Sequence, residues 1–218
     1  MFLLFYGANP VYAVPPGFMY LDATTPAIEV DLRYAGDANF VGRPIEGYHQ
    51  PRAILTREAA AALQKVQSDL QRFSLGVKVF DAYRPQRAVN HFVRWAKDLP
   101  DTQMKAIYYP NVNKKNLFRD GYIAEKSGHS RGSTVDVTLV SNNAESCSHE
   151  LDMGSGFDYF DPSSRPEFPG LSTLQHRNRM LLKSVMERHG FKPYPKEWWH
   201  FTLVNEPFPD TYFDFVIE

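Results

Sequence analysis

SGHSRGSTVDVTLV, residues 127–140, sets a histidine and an aspartate seven positions apart, with small or polar residues between them as far as Val135. It then runs on as the apolar stretch VDVTLV (135–140), which reads as a strand. An imidazole and a carboxylate gathered ahead of a strand are a pair that a metal ion can use. Such an ion would need a further ligand from elsewhere in the chain.

Working outward, Thr56 caps a helix whose apolar positions Ala59, Leu63, Val66, Leu70 and Phe73 recur at spacings of four and three, and Gly76 is expected to end it. VKVFD (77–81) follows as a strand. Pro85 suits the first turn of a second helix, where its missing N–H is no loss, and Val89, Phe92 and Ala96 form that helix's buried face. Residues 18–54 read as strands and loops rich in Gly, Pro and Asn. The polar, irregular stretch 99–126 is too long for an ordinary connection and is expected to be a functional loop or lid. On the far side, 172–189 reads as a helix closed by Gly190, and WWHFTLV (198–204) as a strand. Helices and strands mix without regular βαβ alternation, so the expected fold is a single α+β domain, a mainly antiparallel sheet flanked by helices.

A chain of 218 residues builds one sizeable core more readily than two. A hydrophobic fraction of 43% with 14% aromatics suits a globular interior. Lys and Arg total 24 against 25 for Asp and Glu, with no basic run, which argues against nucleic acid and against stable membrane association. The lone Cys147 cannot form an intramolecular disulfide and reads as a loop thiol. MFLLFYGANPVYA, at the start, is apolar and ends like a small-x-small cleavage site. Residues 1–16 are expected to be the remnant of an export signal, implying a periplasmic enzyme, or else a disordered tail on a cytoplasmic one.

The third ligand is sought in EWWH (197–200). His129, Asp136 and His200 would supply two imidazoles and a carboxylate, leaving a fourth position for water, as in catalytic zinc sites. Glu197 would stand beside the metal as the base that takes a proton from water and returns it to a departing amine. Arg84, in DAYRPQRAV, is placed by Pro85 at the mouth of the sheet and is the candidate for stabilising an oxyanion; the plainer alternative is pairing with Asp81. His49, His91, His149, His176 and His189 read as ordinary surface or core histidines, and Trp198 and Trp199 as core and pocket wall.

SGHSRGSTVDVTL, EWWHF, DAYRPQRAV, LDMGSGFD and MKAIYYPNV together resemble the VanX-like zinc D-alanyl-D-alanine dipeptidases, from about Phe18 to the C-terminus. The first and second motifs are shared with the wider hedgehog and D,D-peptidase zinc fold; the others are narrower. The resemblance implies that His129, Asp136 and His200 hold one Zn2+, that Glu197 is the general base and that Arg84 steadies the tetrahedral intermediate. It further implies that Asp158 meets the substrate ammonium, that Ser127 lies near its carboxylate, and that Tyr34 and Tyr48 line a cavity admitting only a dipeptide. Residues 17–218 would form the dipeptidase domain, acting in peptidoglycan precursor turnover. Two other enzymes compete: a D,D-carboxypeptidase or cell-wall endopeptidase, which needs a more open groove, and a non-haem iron oxygenase, in which Glu197 would be idle.

Overall fold

The computed structural model describes residues 14–23, 27–142 and 149–218; the expectations for Cys147 and for all but the end of the N-terminal stretch lie outside them. β1 (Phe18–Tyr20) pairs antiparallel with β3 (Ile54–Thr56) in a small ribbon. The main sheet contains β2 (Glu29–Val30), β4 (Leu75–Asp81), β5 (Thr134–Ser141), β6 (His149–Glu150), β7 (Phe191–Tyr194) and β8 (Glu197–Leu203). Its order is β2-β4-β5-β8-β7, with β6 also on β5. Among the described strands of this sheet only the short β2–β4 pairing is parallel. The chain is thus a single α+β domain whose sheet is mainly antiparallel and flanked by helices.

Helix α1 (Arg57–Gln71) starts where Thr56 Oγ1 accepts the Ala59 N–H, and it buries Ala59, Leu63, Val66 and Leu70. It ends earlier than the periodicity suggests. Phe73 lies beyond it, 74% exposed, and Ser74 at φ 54° carries the turn. Gly76 sits inside β4, not at the helix end. A Cβ there would come within 2.7 Å of the end of the Asn142 side chain, which would have to shift to admit it. Helix α4 (Thr173–Arg188) opens with a reciprocal capping box between Ser172 and Gln175. α1 and α4 touch each other and the sheet, and cover one of its faces.

Helix α2 (Gln86–Lys97) contributes to the other face, where its residues Val89 and Phe92 wall a cavity. The 99–126 stretch is better packed than a loose lid. It contains a short helix α3 (Lys105–Tyr108) and buries Tyr109, Leu117 and Ile123. Buried Lys114 donates from Nζ to the carbonyls of Asp98 and Asp101 and lies 4.0 Å from the Trp95 ring centroid, pinning the stretch to the end of α2. Residues 121–124 and 126 end up as cavity wall.

Among the remaining histidines, His176 is exposed on α4, His91 accepts the Glu46 N–H at 3.2 Å, and His189 caps α4 with Nε2 2.9 Å from Asp69 Oδ2. Trp198 and Trp199 are core; neither lines the cavity.

Candidate metal centre and active site

The centre is built across three adjacent strands. Asp136 on β5 faces His200 on β8 as a direct cross-strand partner, and on its other side stands opposite Asp81 of β4. A register shift between Val79 and Asp81 makes the second alignment. His129 arrives from the 3₁₀ turn Gly128–Arg131, which Ser127 caps by accepting the His129 N–H on Oγ, and which Gly132 closes at φ 82°. The Gly132 conformation strongly favours glycine, and a Cβ there would lie 2.2 Å from the Phe18 ring.

Glu197 and His200 are three apart, a spacing that sends side chains to opposite faces of a regular strand. The β7–β8 pairing jumps from Pro193↔Phe201 to Tyr194↔Glu197, so residues 198–200 have no counterparts on β7. This irregularity accounts for both Glu197 and His200 reaching the same cavity. It also leaves two successive tryptophans buried.

Asp136 Oδ2 is 3.2 Å from His129 Nε2, Asp136 Oδ1 is 3.1 Å from His200 Nδ1, and the two ring nitrogens are 3.3 Å apart. Donors about 2.0–2.1 Å from a tetrahedral ion would stand about 3.3 Å from one another, so the triangle has the dimensions of three corners of a zinc site. Two further features fit a cation. Asp136 Oδ1 is buried and accepts no hydrogen bond. His129 Nδ1 is 2.7 Å from the Ala82 carbonyl, which can only accept; the ring proton is therefore on Nδ1 and the Nε2 lone pair faces Asp136 and His200.

Protonation agrees. Burial holds the His129 pKa below its ordinary value, keeping the ring neutral. Burial would raise the Asp136 pKa, but the proton shared with the neighbouring imidazoles, which His200 is the better placed to carry, outweighs it and holds the carboxyl well below the usual range. A neutral imidazole and a carboxylate are the forms in which these groups bind metal. Glu197 differs. Burial, with help from Asp136 and against the pull of His200, pushes its pKa up to about 7. Glu197 Oε2 lies 3.6 Å from His200 Nδ1.

The D-ala-D-ala dipeptidase family of M15 peptidases matches residues 15–218. The chain belongs to that family. It is 40% identical to the D-alanyl-D-alanine dipeptidase of Enterococcus faecalis over 92% of this chain and 98% of that one. It is 41% identical to that of Streptomyces coelicolor over the same shares. A D,D-pentapeptidase, VanY, solved in complex with Zn(II), is similar at 15% identity and a TM-score of 0.43, over 70% of this chain and 74% of that one.

In this member of the dipeptidase family the cavity measures about 250 Å3. That is below the span of about 300–1,000 Å3 usual for drug-sized ligands. Tyr34, Arg84, Ser127, Asp136, Asp158, Glu197 and His200 all line it. Arg84 takes both of its expected positions at once. Its guanidinium faces the cavity while Nε and Nη2 hold Asp81 Oδ2 at 2.9 and 2.8 Å, with Nη2 also 3.5 Å from Asp136 Oδ2.

Asp158 is buried at φ 57°, accepts the Tyr34 hydroxyl at 2.7 Å, and has its pKa raised well above the carboxylate range by burial and then by the Asp136 charge. Tyr48 departs from expectation. It does not line the cavity; its hydroxyl donates at 2.6 Å to Oδ1 of the buried Asp81, whose other oxygen holds Arg84. Sequence reading passed over Asp81 as anything but a partner for Arg84, and did not reach Tyr122, Lys126 or Tyr194, which also line the cavity. The Asp81/Arg84 spacing was the available clue.

Proposed function

We propose that this chain hydrolyses D-alanyl-D-alanine to two D-alanines, using one zinc ion held by His129, Asp136 and His200. The observation that carries the reading is the triangle of donors 3.1–3.3 Å apart, with the Glu197 carboxyl beside it in a small cavity. The mixed imidazole and carboxylate set suits zinc better than magnesium or calcium, which favour oxygen ligands. When bound, the ion supplies a Lewis acid that polarises the scissile carbonyl and acidifies water.

The chain's own groups do the rest. Glu197 takes a proton from the attacking water and delivers it to the nitrogen of the leaving alanine; a pKa near neutrality suits a group that must do both. Arg84, held by Asp81, which Tyr48 holds in turn, presents positive charge to the carbonyl oxygen as it becomes anionic. Asp158 receives the substrate ammonium, which would draw the buried acid back to its ionised form; Tyr34 holds one of its oxygens. Ser127 stands near the substrate carboxylate.

A D,D-carboxypeptidase needs room for a longer chain, which a cavity of about 250 Å3 walled by residues 121–124, Phe40 and Phe160 does not favour. The test is an amine-release assay with D-Ala-D-Ala, L-Ala-L-Ala and a D-Ala-D-Ala-ended pentapeptide, with and without a chelator. D-alanine release from the D,D-dipeptide alone, abolished by the chelator, is expected; efficient trimming of the pentapeptide would overturn the dipeptidase reading.

Export to the periplasm is part of the proposal. It is supported by the apolar MFLLFYGANPVYA stretch. Among the described residues no helix is long and apolar enough to cross a membrane. A mature N-terminus near Val14, read by terminal sequencing, is the expected result, and Met1 the contrary one.

A further inference from the structure

We propose that Lys126 binds the C-terminal carboxylate of the substrate and so selects peptides with a free carboxylate directly after the scissile bond. The inference rests on the dipeptide reading above and adds a specificity residue to it. Three acidic side chains, Asp136, Asp158 and Glu197, line the cavity, so an incoming carboxylate finds its partner in a cation that none of them already holds.

Two permanent cations are available there. Arg84 is already engaged, with Asp81 Oδ2 at 2.8 and 2.9 Å and Asp136 Oδ2 at 3.5 Å. Lys126 has no carboxylate within ion-pair distance among the described residues; its ammonium lies 5.0 Å from the Tyr212 ring centroid. It is exposed at the cavity, free to swing onto a ligand.

Its backbone, by contrast, is fixed on both sides. Gln86 Nε2 donates to the Glu125 carbonyl at 3.0 Å, and Ser127 caps the turn that carries His129. In a dipeptide the carboxylate is attached to the same carbon as the scissile nitrogen, so its partner must come from close to the metal ligands. Lys126, three residues before His129 and next to Ser127, comes from there. A compact ammonium on a flexible stem suits a carboxylate approached from one side.

The test compares wild type, Lys126→Met and Lys126→Arg on D-Ala-D-Ala and on D-Ala-D-alaninamide, which lacks the charge. Lys126→Met should raise KM for the acid about tenfold, since a hydrogen bond to a charged group is worth that much even when partly screened. kcat should change little, Lys126→Arg should recover most of the loss, and the amide should not distinguish the variants. A wild-type KM in Lys126→Met, or an equal rise for acid and amide, would overturn the proposal.

Calorimetric binding of both ligands to Glu197→Gln protein, with and without Lys126→Met, separates this inference from the dipeptidase reading. Binding weakened by Lys126→Met for the acid alone supports Lys126 even if wild type releases no D-alanine. Equal binding removes Lys126 while leaving an observed release intact, and absence of any binding by the acid removes both.

Discussion

Burial, aided by Asp136, holds the Glu197 carboxyl at a pKa of about 7, against an ordinary 4.5. The folded, metal-free protein therefore keeps a proton that the unfolded chain has released between those values. Stability falls as pH rises through that window, and above it the cost of the buried anion is complete. Glu197→Gln carries no such charge. In chelator-treated protein it should be more stable than wild type at pH 8, by on the order of 1–3 kcal/mol in denaturant titrations, with the difference gone near pH 4. The same variant, loaded with metal, should lose about 10²–10⁴ of turnover. Wild-type turnover with this variant would remove Glu197 from its role.

Of the residues singled out from the sequence, Asp136, His200, Glu197, Arg84, Asp158, Ser127 and Tyr34 line one cavity, and His129 lies buried behind it against Asp136 and His200. His129, Asp136, His200, Glu197 and Arg84 were legible because each sits in a short motif whose residue types match a chemical task; Asp158, Ser127 and Tyr34 were legible through the family resemblance. Tyr48 was not legible in the same way. Whether a tyrosine faces a cavity or backs a buried aspartate depends on which of two neighbours it meets, and that is decided by packing across the sheet.

At the scale of elements, the site depends on two departures from regular pairing: the shift beside Asp81 and the irregular meeting of β7 with β8. The first has no signature in residue spacing; the second has one, because EWWH offers a base and a ligand three apart, which a regular strand would send to opposite faces. Helices were easier. α1 and α4 follow from period and caps, although the apolar Phe73 extended the reading of α1 past its end, since periodicity cannot tell a buried position from one just beyond the last turn.

The turn that delivers His129 is the most demanding element. Gly132 combines φ 82° with a Phe18 ring where a side chain would go. Gly132→Ala should destabilise the protein by about 2–4 kcal/mol in a denaturant titration, through strain and overpacking together. A loss under about 0.5 kcal/mol would mean that the turn relaxes freely and that His129 is less firmly placed than its surroundings indicate.

For the whole molecule, the sheet acts as a platform with helices on one face and a charged cavity on the other. α2 and the packed 99–126 stretch form walls that the composition of that stretch, polar and irregular, concealed. Its order comes from a few buried anchors, Tyr109, Leu117, Ile123 and Lys114, too sparse to register as a periodic pattern.

The account depends on His129, Asp136 and His200 acting as one binding site. The direct measurement is zinc content and D-alanine release for wild type and His200→Ala, each stripped with chelator and reloaded side by side. Wild type should recover one zinc per chain and its turnover, and His200→Ala neither. A His200→Ala protein that holds zinc at parity and hydrolyses D-Ala-D-Ala at the wild-type rate would contradict it.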